Sequence, residues 1–551
     1  MNTDVIVAEK PSFRLALTEL ILTEQELLKQ GSDGAGETGT ASRTVLVDAI
    51  RSTLDRKINQ LLVVTADREA SAGGTQRVMA ECVDSIDGLH LARLSDLLNP
   101  HQPADAGLPE HFDAIVLADP GWGTCALDLL GAAQGRLRDN GILLVIGLAR
   151  HAPRLDGRND GVSVLPYLKA QARRCGFDDL RTQDLSSAAD AALTAACEGG
   201  GKSIDIMAAR KALSAEDTIF ALVWCRKIAS PRWSLRSLDE RDAKQMRALF
   251  DVVFAPNAMS EAHWRWKYVA GHGCGVAAWR LGQMVGFYGG LRRSIRFKGQ
   301  SAVAMQIVDV MVQASERGIL RHQGVFFQTA ASFLECNVGR GSEALIGYGF
   351  PTARALEVAR RLGLYETVGE VRELSWSSCE ATEGWTRSLR SVSADTLPRH
   401  ARSIDRLWYE MEEGLSHAIV GVRDWAFIRH RFVEHPDKTY RYLLLRLGLT
   451  RRIVALVVLS IQDDSCHLRD YVGHPRHLTP TIALMRGYAA KHGLRRVKTW
   501  ITSGFVHAFP AEGRADNSLD LFVPHSTCTF GPTLAEINGH WWLMAGDTDF
   551  L

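Results

Sequence analysis

The chain has 551 residues, 46% hydrophobic and 23% charged, with a formal net charge of +1 at pH 7. This is the composition of a soluble globular protein of about three or four domains. The near-zero charge gives no electrostatic reason to expect nucleic acid or an anionic membrane surface as a partner. No apolar run reaches the roughly 18 residues needed to span a bilayer. The ten cysteines are scattered, without C-x-x-C pairs or zinc-ligand spacing. They are expected to be reduced core residues of a cytoplasmic protein. The opening MNTDVIVAEKPSF lacks the basic-then-apolar pattern of a secretory signal.

The first ~230 residues read as a unit of alternating strands and helices. Gly31 to Gly39 forms a flexible loop. Leu61 to Ala66 and His111 to Asp119 are apolar runs with the look of buried strands; a helix follows the second through Leu137, and Asn140-Gly141 leads into a third strand, Ile142 to Gly147. Ile219 to Arg226 is expected to close the sheet, which should be mainly parallel. The run Glu198 to Ser203, EGGGKS, is too short for a phosphate-binding P-loop and reads as a turn. FDAIVLADPGWG, LRDNGILLVIGLA and LKAQARRCGFDDL together resemble the later half of a class I methyltransferase, with Cys175-Gly176-Phe177 as that family's signature before its last strands. The earlier half departs from the family. After Val64 the chain reads Thr65-Ala66-Asp67-Arg68-Glu69 and has no G-x-G-x-G, although Asp67 or Glu69 could substitute as an acidic ligand and Asp96 could lie near an adenine. Residues 1–228 are therefore expected to form a degenerate, Rossmann-like methyltransferase-type domain, with S-adenosylmethionine an unlikely ligand. A docking domain and a working methyltransferase both remain open.

After a linker at Ala229-Ser230-Pro231, the acid-rich Leu238 to Ala243 opens a helix whose buried stripe should hold Phe250, Val253 and Phe254. The alternating His263-Trp264-Arg265-Trp266-Lys267-Tyr268 resembles the W-x-W-K-Y segment of a bacterial subgroup of GNAT acyltransferases, which implies packing that also lines an acceptor site. Val276 to Trp279 and Met284 to Tyr288 make a hairpin around Leu281-Gly282-Gln283. Arg292, Arg293, Arg296 and Lys298 form either a solvated face or a dock for an acidic group. From Val303 to Phe333 the chain runs strand, basic glycine-containing loop, helix. That order makes an anion cradle, because the first N–H groups of a helix are unpaired and carry partial positive charge. Arg317 and Arg321 can pair with phosphate oxygens, and Gly324 allows close approach of the backbone.

Arg321-His322-Gln323-Gly324-Val325-Phe326 resembles the R-x-x-G-x-G/A loop with which GNAT acyltransferases hold the pyrophosphate of acetyl-CoA. DVMVQASERGILRHQGVF and GYGFPTARALEVARRLGLY are similar to a bacterial subgroup of that family. Phe326 departs from the small residue of the general loop, and Thr352 from the subgroup's usual Asn. The resemblance implies a GNAT domain over residues 231–380. Its cofactor would be acetyl-CoA or another acyl-CoA, held by the backbone of Val310, Met311 and Val312 along the pantetheine arm, by Arg317, Gly318, Arg321, His322, Gln323, Gly324 and Val325 at the phosphates, and by Thr352. Asp309 is the candidate base, or else a residue that ties a strand bulge. Tyr365 either protonates the leaving thiolate or packs below a helix.

The last ~160 residues echo this domain. Ile428-Arg429-His430-Arg431-Phe432 parallels Trp264 to Tyr268, and Asp470-Tyr471-Val472 stands where Asp309-Val310-Met311 stood. His474 to Pro480 replaces the phosphate loop, and its two prolines cannot donate backbone hydrogen bonds. Residues 390–551 are thus expected to be a second GNAT-like domain lacking the phosphate loop, with His474 to Pro480 walling off the acceptor side of the first site. Asp547 and Asp549 near the end suggest a chain-end turn in preference to a metal, and no metal is expected. The expected fold class is α/β: a Rossmann-like methyltransferase-type domain followed by two GNAT-like α/β domains. The expected activity is acyl-CoA-dependent acyl transfer, N-acetyl transfer to an amine of a small metabolite or biosynthetic intermediate, the acceptor being a small molecule or carrier-bound. The alternatives are a bifunctional methyltransferase/acyltransferase and a non-catalytic acyl-CoA-binding scaffold.

Overall fold

The computed structural model describes residues 45, 47–54, 58–65, 88–93, 97–98, 109–118, 123, 125–154, 162–198, 210–215, 217–228, 230–318, 322–380, 387–449 and 452–548. Arg321, Asp67, Glu69, Asp96, Asp549, the Gly31 to Gly39 loop and the Glu198-to-Ser203 turn beyond its first residue lie outside the described residues. The chain divides into two compact units, one up to Ser237 and the other from Leu238 onwards apart from 340–342.

In the first unit the strands are β1 (Gln60–Thr65), β2 (Gly88–Arg93), β3 (Phe112–Ala118), β4 (Leu137–Arg150), β5 (Ser163–Val164), β6 (Phe177–Asp184) and β7 (Thr218–Lys227). Helices α1 (Leu127–Arg136), α2 (Leu165–Arg174) and α3 (Ser186–Glu198) connect them, and β8 (Ser234–Ser237) follows. The sheet order is β2-β1-β3-β4-β7-β6, with β5 beside the end of β4. β1 to β4 are mutually parallel, and β7 runs antiparallel to both β4 and β6. The apolar runs LLVV, AIVLA and ILLVI are continuous because these strands are buried on both faces. β7 is the last strand of this sheet in sequence but lies inside it; the edge falls to β6, whose polar FDDLRTQD suits solvent better than IFALVW does. Gly176 supplies the positive φ (+87°) that turns the chain from α2 into β6. In this unit Ser237 N donates to Asp128 Oδ1 of α1 at 2.7 Å, which holds β8 on that helix.

The second unit contains one pattern twice. Its first half runs α4 (Ala243–Val253), α5 (Glu261–Trp264) continuing into a π-helical turn (Arg265–Ala270), then β9 (Gly273–Arg280), β10 (Gln283–Phe297), β11 (Gln300–Val312), α6 (Val325–Asn337), β12 (Ile346–Tyr348), α7 (Ala353–Arg361) and β13 (Tyr365–Ser377). Its second half runs β14 (Arg387–Val392), α8 (Ala401–Gly414), β15 (Ile419–Gly421), α9 (Trp425–Ile428) continuing into a π turn (Arg429–Val433), β16 (Arg441–Leu447), β17 (Arg452–Gln462), β18 (Ser465–Gly473), α10 (Leu478–Lys491), β19 (Arg496–Thr502), β20 (Arg514–Ser526) and β21 (Trp541–Trp542). Each half has an antiparallel three-strand meander and then, beyond a helix, a strand parallel to the third: β12 to β11 and β19 to β18.

The halves are interleaved. One sheet reads β12-β11-β10-β15-β21, so two strands of the second half extend the first half's sheet; the other reads β14-β16-β17-β18-β19-β13-β20, so β13 of the first half sits inside the second half's sheet. A single apolar cluster draws on both, with Ile295, Ala304, Ile346 and Val371 packed with Ile419, Val523 and Trp541. The two π turns also bind each other reciprocally. Trp266 Nε1 donates to the His430 carbonyl at 2.8 Å, His430 Nε2 lies 3.2 Å from the Trp266 carbonyl, and the rings stack at 5.0 Å and 8°.

Several local expectations shift. On α4 Met246 and Leu249 are the buried residues; Phe250, Val253 and Phe254 pack partly buried against the same core, as expected, and Phe250 and Phe254 also line a cavity described below. The basic hairpin is neither free nor simply solvated: Arg292 pairs with Glu343, Arg293 Nε donates to Gln306 Oε1 at 2.9 Å, and Arg296 Nε meets Glu412 Oε1 at 2.5 Å. Cys125 and Cys336 each lie in a disulfide, against the expectation of reduced thiols, whereas Cys175, Cys225, Cys274, Cys379, Cys466 and Cys528 lie in none. The spacing of cysteines in sequence carries no information about pairs brought together only by folding. Among the described residues no helix is long and apolar enough to cross a membrane.

The interleaving has a direct test. In a fragment of residues 231–380, β13 loses both neighbours and β10 loses β15. Such a fragment should lack a cooperative thermal transition and aggregate through its uncovered apolar face. A soluble fragment melting cooperatively by circular dichroism would contradict the shared core.

Candidate active site

The site is built around β11. Parallel pairing with β12 extends only from Ala304–Ile346 to Gln306–Tyr348, so the strand edge beyond Gln306 is open, and Gly349-Phe350-Pro351 pass opposite it. On the other edge, pairing with β10 slips between Phe287 and Gly289, which places a bulge at Asp309-Val310. Asp309 takes φ +50°, a conformation that Asp tolerates better than most residues. The bulge is anchored from the π turn: Lys267 Nζ lies 2.8 Å from Asp309 Oδ1, and Tyr268 OH donates to Oδ2 at 2.6 Å. Both members of the ion pair are almost fully buried, with side chains 3% and 4% exposed.

A cavity of about 530 Å³ opens beside the bulge. Phe250, Phe254 and Met259 wall one side; Val310, Phe326 and Phe350 and the α7 face Ala355, Leu356 and Ala359 wall another. The second half contributes Asp437, Lys438 and Pro524. Two tyrosines meet within it, the hydroxyl of Tyr288 on β10 bonding to that of Tyr365 at the start of β13. Burial raises the Tyr288 pKa well above the ordinary phenol value, so its hydroxyl stays protonated at neutral pH. His263 Nδ1 lies 2.5 Å from Asp437 Oδ2. Burial, aided by the charge of Lys267, holds the His263 pKa below its usual value in spite of Asp437. Behind it, His435 packs on Trp266 at 4.5 Å, and burial with the nearby Arg431 pushes its pKa down to about 3.

The remaining residues named from the sequence fall as follows. Val310 lines the cavity, Met311 is buried in the first half's core, and Val312 pairs with Gly286. Arg317 is exposed, and its Nε donates to the Val312 carbonyl at 2.9 Å. Gly318 has φ +106°, open only to glycine in practice. His322 and Gln323 are exposed, the His322 ring standing edge-on to Phe327 at 4.5 Å. Gly324 precedes α6 with φ −74° and ψ 149° and no side-chain cap, so the amides of the first turn, from Val325, point outward without intrahelical partners. Thr352 caps α7, its hydroxyl accepting from Ala355 N at 3.4 Å, and it does not line the cavity. Of the segment His263 to Tyr268, read from the sequence as packing that also lines a site, His263 and Lys267 do line the cavity. Tyr288 and Asp437 were not singled out as site residues, and Asp437 is brought to His263 only by folding.

The second half repeats the geometry and closes it. β18 and β19 pair from Ser465–Arg496 to Leu468–Thr499 and then part, next to a register slip at Val458/Leu459 close to Asp470. Here the opening is filled by the chain itself: Met544 bridges to Ile501, Thr502 N donates to the Leu543 carbonyl at 3.2 Å, and Arg431 Nε donates to the Gly546 carbonyl at 2.9 Å. Fully buried Arg423 sits between Asp470 (2.9 Å) and Asp547 (2.5 Å). Burial raises the Asp470 pKa against the pull of Arg423. A Cβ at Gly546 would stand 2.8 Å from Asp470 Oδ2, so only glycine fits there. Asp547 is thus an ion-pair partner in a plug, a role its place near the end of the sequence did not suggest. The Pro475–His477 turn packs by Gly414 and leads into α10; it does not wall the cavity as expected, because Asp437, Lys438 and Pro524 occupy that side.

Residues 234–368 match the acetyltransferase (GNAT) domain family, and the chain carries a GNAT acyltransferase domain there. Among solved structures, the chain is similar to a probable N-acyltransferase of Enterococcus faecalis (12% identity over 53% of this chain and 71% of that one, TM-score 0.42). It is also similar to a GCN5-related N-acetyltransferase of Kribbella flavida (17%, 53% and 71%, 0.40) and to Saccharomyces cerevisiae N-myristoyltransferase with bound myristoyl-CoA (9%, 56% and 86%, 0.34). No curated protein matches the chain.

The buried Lys267–Asp309 pair yields a prediction. Lys267→Met leaves a buried carboxylate unpaired and should cost about 3–5 kcal/mol of stability in urea unfolding, as for other broken buried pairs. A loss below about 1 kcal/mol, the scale of an exposed pair, would show that the bulge does not depend on this contact.

Proposed function

We propose that the protein transfers an acyl group from acetyl-CoA or another acyl-CoA to an amine of a small metabolite or biosynthetic intermediate. The observation that carries this reading is the unpaired edge of β11 beyond Gln306, within the GNAT-matching stretch, running from a bulge at the cavity to the uncapped start of α6. A pantetheine arm has alternating amide donors and acceptors and can complete that edge as a strand would. The phosphates then reach the α6 amides, where unpaired N–H groups and the helix dipole favour anions; the resemblance adds Arg321, three residues before Gly324 in the sequence, as their charged partner. The thioester carbonyl comes to lie at the bulge, where a backbone N–H near Val310 can polarise it. Most of the acceleration comes from holding carbonyl and amine together in a site partly closed from water. The Tyr365 hydroxyl, bonded to that of Tyr288, is the donor for the departing thiolate. Both Asp309 oxygens are engaged by Lys267 and Tyr268, which favours holding the bulge over taking a proton.

One acyl-CoA per chain follows from the plugged opening of the second half. A non-catalytic scaffold would have no use for tyrosine hydroxyls and an Asp–His pair converging on the same cavity. For the first unit, the parallel β2-β1-β3-β4 run with an antiparallel β7 inserted before β6 favours the methyltransferase-like reading of residues 1–228, and the Gly-poor segment after Val64 favours a degenerate one.

Arg321→Ala should weaken CoA binding by roughly 1–3 kcal/mol, the range of a charge-assisted hydrogen bond, with a stoichiometry of one in wild type. Titration calorimetry giving unchanged affinity would remove the phosphate assignment, and two sites per chain would remove the plug argument. For the first unit, S-adenosylmethionine at micromolar concentration should produce no shift in the melting temperature; a saturable rise would restore the bifunctional reading.

A further inference from the structure

We propose that His263 and Asp437 form a dyad in which His263 takes the proton from the acceptor amine, so that the second half of the unit supplies part of the chemistry. The inference rests on the acyl-transfer reading above and assigns the base that reading leaves open. An amine is protonated at neutral pH and attacks a thioester only after losing a proton, so the cavity needs a neutral acceptor. Asp309 is engaged at both oxygens, and the Tyr288 and Tyr365 hydroxyls bond to each other. His263 remains. Its backbone N–H donates to Ser260 Oγ at 3.0 Å, which fixes it on the first turn of α5, and its ring stands edge-on to Trp266 and His435, each at 5.6 Å. With the Asp437 carboxylate accepting from Nδ1–H, the lone pair falls on Nε2, which is buried and has no hydrogen-bond partner among the described residues. Both residues line the cavity.

The charged and titratable groups around the ring are Lys267 of the π turn, Asp309 of β11, and Asp437 and His435 from the second half. Burial and Lys267 favour the neutral ring, while Asp437 and Asp309 oppose them; the balance lies below the ordinary histidine value, so the ring is unprotonated at neutral pH. In the step, the acceptor's ammonium passes one proton to Nε2, and the neutral nitrogen then bonds to the thioester carbonyl carbon. Collapse of the tetrahedral centre breaks the C–S bond, the thiolate takes the Tyr365 proton, and the second proton lost by the nitrogen restores Tyr365 through water. The products are the amide and free CoA thiol, and the imidazolium releases its proton to solvent.

The test uses the full-length chain with acetyl-CoA, follows thiol release, and compares a panel of primary alkylamines with hydroxylamine, a nucleophile already unprotonated at neutral pH. His263→Gln should lower transfer to alkylamines by roughly 100-fold or more, keep transfer to hydroxylamine within a few-fold, and leave CoA affinity unchanged. Asp437→Asn removes a charge that stabilises imidazolium, so the acid limb of its pH–rate profile should move to lower pH. Wild-type rates in His263→Gln, or equal loss with both nucleophiles at unchanged CoA affinity, would overturn the dyad while leaving acyl transfer intact. An unmoved acid limb in Asp437→Asn would do the same. If wild type neither binds acetyl-CoA nor releases thiol with any amine, the acyl-transfer reading fails and the dyad fails with it.

Discussion

Asp309 occupies a left-handed backbone conformation in the middle of a strand, held there by Lys267 and Tyr268 from the π turn. Burying a carboxylate and an ammonium costs several kcal/mol per ion before their attraction is counted. The cost is offset only because short contacts with Lys267 and Tyr268 engage both carboxylate oxygens and the positions of both elements are fixed. The same contact therefore sets three things at once. It breaks the β10–β11 register, fixes the π turn that carries Lys267 and Trp266 against the strand, and leaves room beside Val310 for the cavity. Without the bulge β11 would continue as a regular strand, and the backbone groups of Asp309 and Val310 would be spent on β10.

The two halves show how one scaffold gives an open site and a closed one. Each has a π turn, a meander, an Asp near a register slip, and a parallel strand pair that parts after a few residues. In the first half the gap borders a cavity with Gly349-Phe350-Pro351 on the far side. In the second half Leu543 to Thr548 enters the gap with its main-chain groups, and Arg423 bridges the two carboxylates that meet there. The plug is costly to disturb, since removing Arg423 would leave two buried carboxylates facing each other. The second half is not idle: it lends β15 and β21 to the first sheet, stacks His430 on Trp266, and places Asp437 at the cavity wall.

The first unit follows a different logic. Its parallel strands are apolar on both faces and need helices on both sides, and the single reversal at β7 puts an apolar strand in the interior and a polar one at the edge.

The sequence by itself determined the elements whose signals are local. The period-2 run of β11, the Leu281-Gly282 hairpin with both residues at positive φ, the helix after Gly324 and the second Asp-bearing strand at Asp470 were all legible, because side-chain alternation and turn chemistry act within a few residues. So was the kinship of the central stretch, carried by contiguous residues. Only the tertiary structure decided which of these elements share a sheet and which residues share a cavity. β13 lies between strands that follow it by more than a hundred residues, Phe250 and Phe254 pack against the core and also form part of the cavity wall, and Asp437 reaches His263 across a separation of 174 positions. The same holds for Thr352, which caps a helix, and for Asp547, which closes a plug. A short motif reports a residue's neighbours along the chain, whereas burial and partnership depend on loops closed between distant segments. Closing such loops is opposed by an entropy that grows only slowly with length, so nothing in the local pattern marks where they will close.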